Sequence, residues 1–260
     1  KEDIIVQSRS GTGKTGTFII GLLNIINENL NECQAIVLVP TRELAIQVAD
    51  VCKNLGLYTN IKPVLCVGGS HVDENRRELE CKFPKIIIGT PGRVQDIMNR
   101  KYFNEKFVAS LVMDEADELL SQGFISQVRS IIRVLPKTTS ISLFSATLSE
   151  EVKDITLNFM SNPKKILVKH DEVSLEGIRQ FYILTNNDED KYGVFKDLFS
   201  IVTVDQTMVY VNSKKSADML QSRLTSEHYS VSVIHSQMSS TERSDVMEDF
   251  RNGRSRVLIS

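Results

Sequence analysis

Short apolar runs alternate along this chain with segments that have the pattern of amphipathic helices. The runs are continuous, without a polar residue at every second position, which is typical of strands covered on both faces. The predicted strands are 3–7, 35–39, 64–68, 85–89, 110–114, 141–145 and 165–169, followed by 180–184, 208–212, 231–235 and 256–260. Between two of them, segment 41–55 places its apolar residues largely on one helical side. This order predicts open, parallel α/β sheets.

A polar segment at 170–178 separates the first seven predicted strands from the last four. We interpret it as a linker between two α/β lobes, at 1–169 and 179–260. The second lobe ends on a predicted strand, although the ligand-contacting groups of such sheets follow the carboxyl ends of their strands. We therefore expect the second lobe to be truncated. The chain also starts at Lys1 rather than at a methionine, so we expect a piece of a longer protein.

The composition argues against several classes of protein. The formal net charge of −2 provides no overall positive field, so any nucleic acid must be held by local groups. The four cysteines are scattered without a CxxC pair, which favours free thiols over a zinc site or a disulfide framework. The sequence has no signal peptide and no apolar run of membrane-spanning length. We expect a soluble protein without a membrane partner, located inside the cell in the cytoplasm or the nucleus.

The stretch SRSGTGKT, residues 8–15, follows the first predicted strand and precedes an apolar helical segment. Glycines let backbone amides turn inward around a phosphate group. Lys14 can reach the outer phosphates of a nucleotide, and the Thr15 hydroxyl can bind Mg²⁺. The helix that begins near Gly13 adds its positive N-terminal end. The stretch therefore predicts a phosphate-binding loop.

The acidic stretch DEAD, residues 114–117, follows another apolar run. Asp114 is suited to hold Mg²⁺, in part through water, because it comes at the end of a predicted strand. Glu115 is suited to orient or deprotonate an attacking water molecule. With a phosphate loop upstream, these carboxylates predict a metal-assisted site rather than a helix cap.

Hydroxyl side chains signal two helix starts. Ser149 precedes acidic residues that suit a first helical turn, so we predict it to be an N-cap. Ser239 and Glu242 have the spacing of a capping box. Helices are therefore predicted directly after positions 149 and 239.

Six short motifs occur in order along the chain: SRSGTGKT at 8–15, PTRELA at 40–45, GG at 68–69, TPGR at 90–93, DEAD at 114–117 and SAT at 145–147. Together they resemble the motifs of the DEAD-box RNA helicases, and the resemblance covers essentially the whole chain. The segment 171–182 is similar to the interlobe segment of the translation-initiation-factor-4A-like branch. The resemblance implies two RecA-like lobes and an ATP-dependent RNA helicase, with ATP and Mg²⁺ as its cofactors.

The resemblance also implies roles for individual residues of an ATP site. The residues implied to bind ATP are Ser8, Arg9, Ser10, Gly11, Thr12, Gly13, Lys14 and Thr15. Those implied in catalysis are Lys14, Asp114 and Glu115, and Thr15 and Asp114 would serve Mg²⁺. The residues implied to couple this site to lobe closure are Asp117, Ser145, Ala146 and Thr147. Ser8 stands where the family has alanine, which is a mild departure.

A second set of residues is implied to face RNA. In the first lobe these are Pro40, Thr41, Arg42, Glu43, Gly68, Gly69, Thr90, Pro91, Gly92 and Arg93, and in the second lobe Asn212 and Arg243. Each first-lobe segment follows a predicted strand, and its amides, hydroxyls and arginines suit phosphate and sugar rather than base edges, so little sequence preference is expected. Ser236 and Ser240 stand where the family has glycine and glutamine, so contacts from the second lobe are less well matched.

Several functions remain compatible with these motifs. The first is RNA-stimulated ATP hydrolysis coupled to local unwinding of an RNA duplex. An ATP-dependent RNA clamp with little turnover would use the same residues, whereas a DNA translocase and a metabolic kinase are less well matched. The resemblance is compatible with a scaffold partner of the initiation-factor-4G type. The family's arginine segment and adenine-reading element do not occur in residues 1–260, so we expect these residues alone to hydrolyse ATP slowly.

Overall fold

The computed structural model of the chain describes residues 2–9, 11–69, 72–120, 123–167, 179–201 and 206–260. It divides into two compact units, Lys1–Ile178 and Arg179–Ser260. Ser10 of the phosphate loop and the predicted linker at 170–178 lie outside the described residues. Each unit contains a parallel β-sheet with helices between its strands, so the predicted fold class is confirmed.

The sheet of the first unit has seven strands in the order β3-β4-β2-β5-β6-β1-β7. These strands are β1 (Ile4–Gln7), β2 (Ala35–Leu38), β3 (Pro63–Cys66), β4 (Ile86–Gly89), β5 (Ser110–Met113), β6 (Ser140–Ser145) and β7 (Lys164–Ile166). All neighbouring strands run parallel. Each observed strand begins within one residue of its predicted start, and residues 168 and 169 of the last predicted strand lie outside the described residues.

Helices connect these strands. They are α1 (Lys14–Ile25), α2 (Arg42–Leu55), α3 (Val72–Lys82), α4 (Pro91–Asn99), α5 (Ala116–Leu119), α6 (Ile125–Val134) and α7 (Glu150–Leu157), with a 3₁₀ turn at Glu105–Phe107. Among the residues that the structure describes, every helix is too short or too polar to span a bilayer.

The central strands are buried on both faces, which explains their continuous apolar sequences. In β2, Ile36 and Leu38 belong to one core cluster, whereas Ala35 and Val37 belong to the other. All four side chains are completely inaccessible to solvent. Because alternate residues of a strand point to opposite faces, a strand between two helical layers needs apolar residues at every position.

Helix starts follow the predicted capping signals. The Ser149 hydroxyl accepts a hydrogen bond from the Val152 amide at 3.3 Å. Ser239 accepts from the amide of Glu242 at 3.2 Å, and the Glu242 carboxylate accepts from the Ser239 amide at 2.7 Å. This reciprocal pair is the predicted capping box, and it satisfies two amides that have no partner within the helix.

The second unit has a three-stranded parallel sheet in the order β8-β10-β9. Its elements are α8 (Asp188–Ile201), β8 (Thr207–Val209), α9 (Lys214–Ser226), β9 (Val231–Val233), α10 (Ser240–Arg251) and β10 (Val257–Ile259). The strand predicted at 180–184 is wrong, because residues 179–185 form no strand and Phe181 and Leu184 are 84% and 88% exposed. A β-prone apolar sequence becomes a strand only when a neighbouring strand pairs with it, and no described residue does so here.

Candidate functional site

The carboxyl ends of the central strands bring five of the six motifs to one edge of the first sheet. Gln7 at the end of β1 pairs with Ser145 at the end of β6. Leu38 at the end of β2 lies between Gly89 of β4 and Met113 of β5. The segments that follow these strands therefore emerge side by side, at the edge where open α/β sheets bind their ligands.

The phosphate loop turns sharply between β1 and α1. Gly11 and Gly13 have φ values of 76° and 92°, in the left-handed region that favours glycine. Among the described residues, no atom lies within 4 Å of the position that a Cβ would occupy at either glycine. Because Gly13 is the N-cap and has no side chain, it leaves the first amides of α1 without a side-chain cap. This geometry leaves room and hydrogen-bond donors for an anion.

Lys14 is buried, with 9% of its surface exposed. Its ammonium group donates hydrogen bonds to the backbone carbonyls of Ser8 at 2.8 Å and Arg9 at 3.1 Å. The Thr12 hydroxyl donates to the Arg9 carbonyl at 2.9 Å. The loop is therefore folded around the charge of Lys14, which lies at its centre.

Asp114 directly follows β5 and lies against this loop. It is 7% exposed, and its carboxylate accepts a hydrogen bond from the Glu115 amide at 3.1 Å. Burial raises the pKa of Asp114 above its ordinary value, while the Glu115 amide, the charge of Lys14 and the Thr15 hydroxyl oppose that shift. The structure thus places the two predicted metal-binding side chains, Thr15 and Asp114, close enough for one to affect the pKa of the other.

Glu115 has a left-handed backbone conformation, with φ 50° and ψ 53°. That conformation is uncommon for a residue other than glycine, and it turns the chain sharply between β5 and α5. Burial raises the pKa of the Glu115 carboxyl, and the neighbouring charge of Asp114 raises it further. A carboxylate with a raised pKa is a better proton acceptor than an ordinary one.

The SAT motif at residues 145–147 connects β6 to the acidic stretch. The Thr147 hydroxyl donates a hydrogen bond to the Asp117 carboxylate. Ser145, which is fully buried, donates its hydroxyl to the Thr147 carbonyl at 2.7 Å and accepts from the Asp117 amide at 3.4 Å. The Ser8 amide in turn donates to the Ser145 carbonyl at 3.1 Å. The phosphate loop, the acidic stretch and residues 145–147 therefore form one hydrogen-bonded network.

Ala146 joins the same network through its backbone. Its carbonyl accepts a hydrogen bond from the Gln7 side chain at 3.5 Å. Gln7 is the last residue of β1, directly before the phosphate loop. The end of β1 is therefore bonded to residues 145–147 through a side chain as well as through the backbone.

The residues predicted to face RNA in the first lobe surround the end of β3. The Arg42 guanidinium donates to the Gly68 carbonyl at 2.7 Å, and the Thr90 amide donates to the Cys66 carbonyl at 3.1 Å. Gly69 has a φ of 88°. The hydroxyl of Thr41 caps α2 by accepting from the Leu44 amide at 3.3 Å. These contacts bring the second, third and fourth motifs together.

The remaining members of this set occupy the starts of α2 and α4. Pro40 and Pro91 are buried, whereas Glu43 and Gly92 are exposed. Pro91 is the first residue of α4, where proline is favoured because the amide it lacks would have no helical partner.

Two residues of this edge were missed by the sequence analysis. Gly89 lies so close to β3 that a Cβ at this position would be 2.0 Å from the Cys66 carbonyl oxygen. Asn75 in α3 is 4% exposed, donates to the Leu65 carbonyl at 2.9 Å and accepts from the Arg93 guanidinium at 2.6 Å. Asn75 lies one helical turn before buried Leu79, on the same face of α3. A polar amide on an apolar helix face is the sequence feature that could have predicted its role.

The two predicted residues of the second unit lie on different elements of that unit. Asn212 is exposed and precedes Ser213, whose hydroxyl caps α9. Arg243 is half-buried in the first turn of α10, and its amide donates to the Ser239 carbonyl at 3.1 Å. Lys214 donates to the Gln237 side chain at 2.6 Å, which joins the segments that contain Asn212 and Arg243.

Within the described ranges, no cluster of three or more His, Cys, Asp or Glu side chains has the arrangement of a protein-only metal site. Mg²⁺ rarely needs such a cluster, because it keeps several waters and takes one or two carboxylates together with phosphate oxygens. The pair formed by Thr15 and Asp114 supplies oxygen ligands of that kind. The donor set therefore fits Mg²⁺ bound together with a phosphate group.

Comparison with known families gives two matches that together span most of the chain. Residues 1–155 match the family described as DEAD/DEAH box helicase, and residues 190–260 match the helicase conserved C-terminal domain. The chain is 42% identical over 99% of its length to an ATP-dependent RNA helicase eIF4A of Pyricularia oryzae and 43% identical to eukaryotic initiation factor 4A of Caenorhabditis elegans. It spans 65% and 64% of the length of these two relatives.

Solved structures give the same result. Dbp5 of Saccharomyces cerevisiae, bound to RNA and ADP BeF3, superposes with a TM-score of 0.88 at 36% identity, covering 99% of this chain and 65% of that one. A DEAD box protein from the hyperthermophile Methanococcus jannaschii superposes with a TM-score of 0.62 at 34% identity, covering 100% of this chain and 69% of that one.

Proposed function

The chain belongs to the DEAD/DEAH box helicase family, and on that premise we propose that it is part of an ATP-dependent RNA helicase. Its reaction is RNA-stimulated hydrolysis of ATP to ADP and phosphate, coupled to local separation of RNA strands. The observation that carries this proposal is the contact between the phosphate loop and the acidic stretch, where the buried Asp114 carboxylate lies beside Lys14 and Thr15, close enough for both to lower its pKa. A phosphate loop alone would serve many nucleotide-binding proteins, whereas this contact adds a metal site next to it.

ATP fits the phosphate loop because the loop supplies what a triphosphate needs. The open space at Gly11 and Gly13 admits phosphate oxygens, and the amides at the start of α1 point toward them. When ATP binds, the Lys14 ammonium group replaces its hydrogen bonds to the Ser8 and Arg9 carbonyls with bonds to the outer phosphates. Thr15 and Asp114 would hold Mg²⁺, which, when bound, neutralises charge that develops on the phosphate oxygens.

Glu115 positions the attacking water in this proposal. Its carboxylate follows Asp114 directly, and its raised pKa suits it to accept a proton or to orient the water by a hydrogen bond. The left-handed backbone at Glu115 sets the direction in which this side chain leaves β5. Asp117 then passes a change at the acidic stretch to Thr147 through their hydrogen bond.

RNA binds, in this proposal, along the edge formed by the second, third and fourth motifs. The side chain of Arg42 and the exposed glycines Gly68, Gly69 and Gly92 offer charge and close backbone approach to a phosphate chain. Such groups recognise phosphate and sugar, so we expect preference for RNA through its 2′-hydroxyls and little preference for base sequence. Asn212 and Arg243 would complete the contact from the second lobe.

The proposed organisation follows the order of the motifs along the sequence: an ATP-binding lobe at 1–169, a linker at 170–178 and a second lobe at 179–260. Relatives named as initiation factor 4A support a role in translation initiation. We therefore propose action in the cytoplasm together with a scaffold protein of the initiation-factor-4G type. Pull-down of the full-length protein with such a scaffold tests this partner directly.

The deciding experiment is Glu115→Gln in the full-length protein. ATP affinity should stay within about threefold, while RNA-stimulated hydrolysis should fall by about 10² or more, because the substitution removes the proton acceptor and keeps the shape. Glu118→Gln is the matched control, since Glu118 is exposed three residues further along. Hydrolysis at the unsubstituted rate in Glu115→Gln would contradict the proposed role.

The unsubstituted protein must also be tested with nucleic acids of different types. ATP hydrolysis should be stimulated by RNA and not by DNA, and a short RNA duplex should be unwound during turnover. Stimulation by DNA alone would favour a DNA translocase. Long residence on RNA with little hydrolysis would favour a clamp instead of a helicase.

A further inference from the structure

Three hydrogen bonds converge on the backbone at the end of β3, in residues 65–68. The Asn75 side chain donates to the Leu65 carbonyl, the Thr90 amide donates to the Cys66 carbonyl, and Arg42 donates to the Gly68 carbonyl. The last two donors belong to motifs that are proposed to bind RNA. Asn75 belongs to none of the six motifs.

Asn75 is buried, and both ends of its amide are used. Its Nδ2 donates at 2.9 Å to Leu65, and its Oδ1 accepts at 2.6 Å from Nη1 of Arg93. A buried amide is costly unless it is hydrogen-bonded. The two bonds offset that cost, and they fix the amide between β3 and the first turn of α4.

Arg93 lies in the first turn of α4, two residues after Pro91. Its side chain is half-buried and long, and a free arginine side chain would sample many rotamers. The bond from Asn75 selects among those rotamers and links the guanidinium, through Asn75, to β3. The carbonyls of Cys66, at the end of β3, and Gly68, two residues after it, hold Thr90 and Arg42. Segment 65–68 therefore holds Arg42 directly and Arg93 through Asn75.

We infer that Asn75 is a positioning residue for RNA binding, which orients the guanidinium of Arg93 toward the nucleic acid backbone. The inference rests on the proposed function, because it takes Arg93 to be an RNA contact. It adds a residue on α3, outside the motifs, whose effect on RNA is exerted through another side chain. ATP affinity should not depend on Asn75, because the proposed ATP site lies at the ends of β1 and β5.

The test compares four variants of the full-length protein: Asn75→Ala, Asn75→Asp, Arg93→Ala and the double variant Asn75→Ala with Arg93→Ala. RNA affinity is measured with a non-hydrolysable ATP analogue at several salt concentrations, and ATP affinity and thermal unfolding are measured for each variant. We expect Asn75→Ala and Arg93→Ala each to weaken RNA binding by about tenfold, as for loss of one hydrogen bond to a charged group. The double variant should be no weaker than Arg93→Ala.

Asn75→Asp separates the two hydrogen bonds of the side chain. Aspartate keeps an oxygen acceptor for Arg93 but has no amide donor for the Leu65 carbonyl. We expect its RNA affinity to stay within about threefold of the unsubstituted protein, because the Arg93 bond is the one that matters for RNA. If it falls as far as Asn75→Ala, the Leu65 bond is the important one and the inference is overturned.

The salt dependence gives a readout that a merely structural role would not change. Asn75→Ala and Arg93→Ala should both reduce the magnitude of the log–log salt slope by about 0.7, the value for one phosphate contact to a single strand. If Arg93→Ala weakens RNA binding and Asn75→Ala does not, the inference fails while the proposed RNA edge stands. If Arg93→Ala has no effect, the RNA role proposed for Arg93 is wrong, and the inference is overturned with it.

Discussion

Replacing Gly89 with alanine should unfold the first unit at a much lower denaturant concentration. The added Cβ would lie 2.0 Å from the carbonyl oxygen of Cys66, whereas ordinary van der Waals contact begins at 3.4 Å. The two strands would therefore have to separate by about 1.4 Å, a large displacement for a close-packed interior. The obstacle is backbone of the neighbouring strand, so no change of rotamer relieves it.

The expected loss of stability is about 3 kcal/mol. Overpacking of a close-packed interior costs roughly 1–3 kcal/mol. The bond from the Thr90 amide to the Cys66 carbonyl, at 3.1 Å, would be broken as the strands separate, which adds about 1 kcal/mol. At an m-value of about 2 kcal/mol per molar urea, the midpoint should fall by about 1.5 M.

The cysteines make this measurement specific for the first unit. All four lie before residue 82, and Cys33 and Cys52 are buried at positions distant in sequence from Gly89. Their labelling by a thiol reagent across a urea series, mapped by mass spectrometry, reports unfolding of that unit alone. Cys66 is left out because the added methyl group would contact it directly.

Gly21→Ala is the matched control, since it adds the same methyl group in the same unit. Gly21 is exposed in α1, and of the described atoms none comes within 4 Å of its Cβ position. Alanine should stabilise this helix by about 0.5–1 kcal/mol. An unchanged midpoint for Gly89→Ala, or an equal loss for Gly21→Ala, would show that the close approach of β3 and β4 does not require glycine.

Two further predictions concern coupling and pH. Thr147→Val removes the hydroxyl that bonds Asp117, so duplex unwinding per ATP hydrolysed should fall about tenfold, the effect of losing about 1.4 kcal/mol, with ATP affinity unchanged. The control variant Thr139→Val, at the opposite edge of the sheet, should unwind normally. Normal coupling in Thr147→Val would contradict the role of the Thr147–Asp117 hydrogen bond. Burial raises the pKa of Cys52 to about 11 and of Cys66 to about 12, whereas a cysteine thiol in the unfolded chain has a pKa of about 8.5. The stability that these neutral thiols provide is therefore present below pH ~8.5 and is lost as the pH rises toward their folded values, by up to about 1.4 kcal/mol per thiol and pH unit. Urea midpoints of the first unit should fall between about pH 9 and 10, to a smaller extent in Cys66→Ala than in the unsubstituted chain; a midpoint that stays constant over this range would refute the argument.

Much of the first unit could be predicted because one physical requirement acts on each strand. Strands buried on both faces need apolar residues throughout, so β2, β4 and β5 are visible as short runs. The caps at Ser149 and Ser239 were predictable for a similar reason, since a side-chain bond to the third following amide has a fixed spacing. These features depend on local sequence.

What the sequence did not reveal depends on neighbours distant along the chain. The need for glycine at position 89 arises from Cys66, and the need for an amide at position 75 arises from Leu65 and Arg93. The exposed segment 180–184 fails as a strand for want of a partner, although its own sequence is β-prone. Motifs located the candidate site, but its contacts are set by the packing of β1, β5 and β6.

The hydrogen bonds between Lys14 and the carbonyls of Ser8 and Arg9 set a minimum interaction free energy that a ligand of the loop must exceed. An arriving anion must compete with two acceptors that the protein itself provides, so binding strength reflects a difference rather than a sum. A small anion that engages the ammonium group alone gains little from this exchange. A longer chain of phosphates also accepts hydrogen bonds from the amides of α1, and these bonds more than offset the two that Lys14 gives up. The loop therefore favours a polyphosphate over the orthophosphate that remains after hydrolysis.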